Sequence, residues 1–105
     1  MVLVSLVSLV GVVRMFRVVT RSGAVYCVDF VAGFWEHGSD GRVPLGSLRV
    51  VDRDLVVAEG WGWSDVLLLP PVVVPVVGLS MFLWSVREWR LSTAVVSFRT
   101  VGGVW

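Results

Sequence analysis

Several stretches of this chain alternate apolar and polar positions with a period of two, the spacing of a pleated strand with one buried face. Met15–Thr20 (MFRVVT) and Ala24–Phe30 (AVYCVDF) are two such runs on either side of Arg21-Ser22-Gly23. Gly23 can take the positive φ of a short turn, so the pair predicts a β-hairpin. In its second strand Ala24, Tyr26, Val28 and Phe30 share one face, and Val25, Cys27 and Asp29 the other. Val31–Trp35 continues the sheet after a turn at Ala32-Gly33, and Glu36–Pro44, the most polar stretch, reads as an exposed loop. Leu45–Val51 and Leu55–Ala58 around Asp52-Arg53-Asp54 predict a second hairpin, followed by a loop at Gly60-Trp61-Gly62-Trp63. Ser92–Val101 supplies the last strand.

Two stretches are apolar on every side. Val66–Val86 carries no charge over 21 residues, long enough to suggest a membrane span. Pro70, Pro71, Pro75 and Gly78 argue against one. A helix starting after Pro71 would run from 72 to 86 and cover about 22 Å, less than a bilayer core of about 30 Å. The valines favour doubly buried strands instead. Val66–Leu69 is then a short strand, Pro70-Pro71 a corner, Val72–Val77 an extended edge segment, Gly78 a bend and Leu79–Trp89 a longer strand. The second stretch, Met1–Val13, lacks the basic region that precedes a signal peptide's apolar core. Residues 1–14 form an apolar extension and 102–105 a tail around one β domain at 15–101.

Length and composition agree with a single domain. All nine basic residues are Arg, Ile is absent, and Val dominates the 56% apolar fraction, a bias that suggests a GC-rich genome. A net charge of +1 implies neither nucleic acid nor an anionic membrane as partner. The lone Cys27 cannot form an internal disulfide and reads as a buried structural thiol. The fold expected is all-β, a small antiparallel barrel or sandwich of six to eight short strands without substantial helix.

Three segments carry a resemblance. VVTRSGAVYCVDF (18–30), VVGLSMFLWSVRE (76–88) and LSTAVVSFR (91–99), about 35 residues in all, resemble small uncharacterised β-rich proteins encoded by phages of actinobacteria. The shared features are a T-x-S-G-x-x-Y-x-V-D strand pair (Thr20, Ser22, Gly23, Tyr26, Val28, Asp29), a V-G-x-x-M-x-x-x-L-type strand (Val77, Gly78 and Met81, with Ser85 at the last position) and a closing S/T-T-x-V-V strand (Ser92, Thr93, Val95, Val96). The apolar segment before Met15 and Ala94, in place of proline, depart from the pattern. The resemblance implies a compact β domain in a phage or prophage setting and carries over no functional residue.

Candidate chemistry is sparse. His37 is the only histidine, which rules out multi-histidine metal sites and catalytic groups needing a second imidazole. Beside Glu36 and Asp40 it reads as a solvated loop residue. Asp52 and Asp54 suit a turn's backbone hydrogen bonds better than a catalytic carboxylate pair. Gly60-Trp61-Gly62-Trp63 lacks the Lys-Ser/Thr and helix of a phosphate loop. The six tryptophans are the unusual feature. Those that do not fill the core, with arginines beside them, suit a protein–protein surface more than a membrane-interface belt or a nucleic-acid platform. Trp61, Trp63, Arg53, Trp89 and Arg90 are the candidate interaction surface. A regular strand through 79–89 puts Trp84 and Trp89 on opposite faces. The expected function is a non-enzymatic binding or structural module that meets another protein or its own copy, cytoplasmic or virion-associated, with no cofactor, metal or small-molecule substrate. The alternative is a small membrane protein anchored through 66–86.

Overall fold

The chain from residue 15 to residue 101 is described by a computed structural model; the expected extension at 1–14 and tail at 102–105 lie outside the described residues. Seven strands, β1 (Met15–Thr20), β2 (Val25–Asp29), β3 (Phe34–His37), β4 (Arg42–Pro44), β5 (Ser47–Val51), β6 (Ser80–Trp84) and β7 (Trp89–Val101), form one sheet. Its order is β4-β3-β2-β1-β7-β6-β5, every pair is antiparallel, and the sheet curls into a half-barrel. The fold is therefore all-β and barrel-like, as the alternation predicts.

The curl follows from one short connection. β4 and β5 are the two outermost strands, yet only Leu45 and Gly46 separate them in the chain. Three Cα–Cα steps, from Pro44 to Ser47, span at most about 11 Å, so the opposite edges must approach each other. Leu45 N–H donates to Gly33 O at 2.9 Å on one flank, and Gly46 N–H donates to Trp84 O at 2.7 Å on the other. β7 supplies the bend. Its first half, Trp89 to Ala94, pairs with β6, and its second half, Val95 to Val101, pairs with β1. Register shifts between Val19 and Thr20 and between Ser80 and Phe82 mark bulges on either side, which sharpen local twist and let a sheet close.

Alternation along the strands fills both sides of β6. Met81 and Leu83 point inward with Phe16, Val18, Tyr26, Val28, Trp35, Leu48 and Val95. Phe82 and Trp84 point outward into a second apolar cluster with Val51, Val56 and Val66. Each such fully buried large side chain contributes about 1.5–3 kcal/mol.

Helices cover that outer face, and here the structure corrects the sequence. Leu55–Ala58 is not a strand: Arg53–Glu59 is helix α1. Asp52 caps it, Oδ1 accepting from the N–H groups of Asp54 (3.0 Å) and Leu55 (3.3 Å), and Gly60 ends it at φ +69°. The caps prevail over the β-branched pair Val56-Val57. Val66 closes a second short helix, α2 (Trp63–Val66), instead of opening a strand. The expected loop at 36–44 is also corrected. β3 takes Glu36 and His37, β4 takes Arg42–Pro44, and the ion pair of Arg42 Nε with Glu36 Oε1 (2.9 Å) lies across this small hairpin.

Val66–Val86 is three pieces: the end of α2, a proline segment, and β6. No helix among the described residues is long and apolar enough to cross a membrane. Within Val72–Val77 the only bridge is Val72 to Leu48, where Val72 N–H donates to Leu48 O at 2.8 Å, and Arg49 Nε donates to Leu69 O at 2.7 Å. The segment thus covers the free edge of β5 while three prolines keep it from extending the ladder.

Two sets of substitutions test this account. A Cβ on Gly46 would lie 3.0 Å from Trp84 O and 3.2 Å from Trp84 Cδ1, so Gly46→Ala should cost about 1–3 kcal/mol in urea unfolding. Ser92 Oγ accepts the buried Met81 N–H at 2.9 Å, whereas Ser80 Oγ is buried with no partner. Ser92→Ala should lose about 1–3 kcal/mol and Ser80→Ala should match or exceed the parent, since one change orphans a donor and the other removes an orphan.

Candidate functional site

Trp84 ends β6 and Trp89 opens β7. Between them Ser85–Glu88 makes a tight turn, closed by Ser85 N–H donating to Glu88 O at 2.8 Å. The expected single strand through 79–89 is therefore a hairpin, and Trp84 and Trp89 are register partners on one face instead of opposite faces. Both lie on the outer face with Phe82. Trp63 reaches them from the start of α2, whose entry is fixed by Gly62 N–H donating to Asp65 Oδ2 at 2.7 Å.

The four rings form a continuous stack. Trp63 lies on Trp84 with centroids 5.4 Å apart and planes at 18°. Trp84 and Phe82 follow at 6.3 Å and 18°, and Phe82 and Trp89 at 5.6 Å and 29°. Such near-parallel contacts contribute about 0.5–1.5 kcal/mol each beyond area burial. Phe82 is buried in the middle, while Trp63 and Trp89 at the ends remain 48% and 46% exposed. The result is an apolar surface held rigid by a strand pair.

The five residues singled out from sequence do not form one surface. Trp63 and Trp89 belong to the stack. Trp61 is half-buried against the cluster beneath it, with Nε1 donating to Glu59 Oε2 at 3.0 Å. Arg53 sits beyond the other end of β6, lining a cavity of about 250 Å³ with Arg21, Asp52, Ser80 and Thr93. Arg90 follows Trp89 and, by alternation, lies on the opposite strand face. Phe82 and Trp84 are the members that the sequence did not assign, and the near-symmetrical W-S-V-R-E-W could have suggested a turn flanked by paired indoles.

Arg90 belongs to a polar group at the barrel's inner rim. Its guanidinium acts electrostatically on Tyr26, and its Nη2 lies 3.8 Å from Asp40 Oδ2. Asp40 Oδ2 also sits 3.2 Å from His37 Nδ1, and the His37 and Tyr26 rings are 4.6 Å apart. His37 is thus a half-buried, paired residue and not a freely solvated one. The group ties the 38–41 turn to the mouth of the barrel. Asp29 is likewise structural, accepting from the N–H groups of Val31 (3.0 Å) and Ala32 (2.8 Å). Cys27 is half-buried on the outer face of β2 rather than buried. Among the described residues no group of three His, Cys, Asp or Glu side chains is placed to hold a metal ion.

Comparison with protein-family models, curated proteins and solved structures yields no match.

Burial raises the Tyr26 pKa above its ordinary value of 10.0, with Arg90 acting in opposition. Tyr26 is the only tyrosine, so tyrosinate absorbance reports it alone. Its midpoint should lie above 10.0 in the folded chain and return there in denaturant. The protonated form is the one that the fold favours. The associated stability should be constant below pH 10.0 and decline as pH rises through the folded value; Tyr26→Phe should lack this decline.

Proposed function

We propose that this chain is a non-enzymatic binding or structural module that acts through protein–protein contacts, and that the stacked face of Trp63, Trp84, Phe82 and Trp89 makes them. The single observation that carries this is the half exposure of two tryptophans at the ends of a stack whose inner rings are buried Phe82 and half-buried Trp84. Interface energy concentrates in tryptophans backed by packed, rigid surroundings. The face offers area and shape and little charge, which favours a partner of equally apolar surface. A second copy is such a partner: a two-fold axis would set Trp63 of one copy against Trp89 of the other and close the assembly at a dimer. A phage or prophage setting, with a cytoplasmic or virion-associated location, is the further part of the proposal and is supported by the resemblance of segments 18–30, 76–88 and 91–99.

The test is sedimentation velocity across a concentration series with the parent chain and a Trp63→Ala/Trp89→Ala variant. The parent should self-associate, and the variant, with an unchanged far-ultraviolet circular dichroism spectrum, should show a dissociation constant at least tenfold higher, about 1.4 kcal/mol. A parent that is monomeric throughout, or a variant that associates equally well, would count against this face.

A further inference from the structure

We propose a second surface, separate from the aromatic stack: the segment Leu68–Val77 is a lipid-surface contact that seats its aliphatic side chains in a bilayer interface without crossing it. Leu68 is 84% exposed, and Val73, Val74, Val76 and Val77 are 59%, 44%, 43% and 58% exposed. Five large aliphatic groups within ten residues thus face outward in a chain whose run from Val66 to Val86 is uncharged.

The chemistry of the segment selects lipid over a protein partner. From Val66 to Leu79 no side chain can donate or accept a hydrogen bond, so nothing specifies a partner's polar groups. Leucine and valine are also under-represented among interface hot spots. An apolar medium demands only that backbone polar groups be satisfied or absent. Pro70, Pro71 and Pro75 have no N–H, and the N–H groups of Leu69, Val72 and Gly78 are bonded within the protein, to Val66 O, Leu48 O and Val95 O; those of Val73, Val74, Val76 and Val77 have no partner among the described residues, which keeps the segment at the hydrated interface and out of the bilayer core. Buried Pro75 and the Val72–Leu48 bridge fix the segment on the body, so its exposed valines are presented on a rigid support.

The described chain begins beside the segment. The chain enters β1 at Met15, the register partner of Asp29, and the next residue, Phe30, lines the same groove of about 240 Å³ as Pro71, Val72 and Val73. Beyond Arg14, the upstream sequence Met1–Val13 is also uncharged and rich in Val and Leu.

Co-sedimentation of the full-length chain with phosphatidylcholine vesicles tests the proposal. The parent should pellet with this neutral lipid at both low and high salt. A Val73→Ser/Val74→Ser/Val76→Ser/Val77→Ser variant should partition at least tenfold less, and the corresponding Val→Leu variant as well as the parent or better. Leu68→Ser, at the most exposed position, should partition about threefold less and serves if the fourfold serine variant does not fold. A parent that stays in the supernatant, binding only to anionic vesicles that salt abolishes, or serine variants that pellet like the parent would each overturn the proposal. So would serine variants that dissociate an oligomer while vesicle binding stays unchanged, since that result assigns the valines to a protein interface. Trp63→Ala/Trp89→Ala should leave vesicle binding intact, so failure of the aromatic face and failure of this segment are read separately.

Discussion

The two-residue link between β4 and β5 constrains everything else. It joins the first and last strands of a seven-stranded sheet, so the sheet has to curl until its edges almost meet. Gly46 occupies the tightest point, against the backbone and indole of Trp84. The bulges beside β7 let the sheet bend without breaking the ladder, and the interior that results is lined by one residue type after another at strand spacing. A flat sheet with the same strands could not place Leu45 and Gly46 on opposite flanks at once.

The curl also explains why β6 is buried on both faces. Its inner residues complete the barrel core, and its outer residues need a cover, which α1, α2 and the residues after them provide. The cover stops short of Trp89. That is how a strand in the middle of the outer layer comes to carry a ring stack that is buried at its centre and open at its ends. The proline segment emerges from beneath the same cover and lies along β5, where its missing amide hydrogens protect an edge that would otherwise invite another strand.

Much of this was legible in the residues. The first hairpin follows from clean alternation around a glycine turn, and the division of 66–86 follows from its prolines. Other elements left no periodic trace. Helix α1 has seven residues and one buried position, Val56, so no helical repeat could emerge; only Asp52 and Gly60 announced it. β4 has three residues and is paired through a polar stretch whose composition suggests a loop. Of the residues by which turns are recognised, the turn at Ser85–Glu88 contains only a serine, the weakest of them. For that reason Trp84 and Trp89 looked like distant members of one strand, and the stack that they share with Phe82 and Trp63 was invisible. Arg53 and Arg90 were near the tryptophans in sequence, but strand alternation and the length of β6 separate them in space.

Among the described strands β7 is the last to be synthesised, yet it lies between β1 and β6 and is the only one of them that joins the two parts of the sheet. While the ribosome has yet to release residues 89–101, a nascent chain can assemble β1–β4 and pair β5 with β6 but cannot unite them. Both inner edges stay open, and the apolar interior has no second wall. Formation of the body is thus delayed until β7 has emerged, when contacts of long sequence separation form together. Until that moment the growing chain is exposed to chaperones and to pairing with its neighbours.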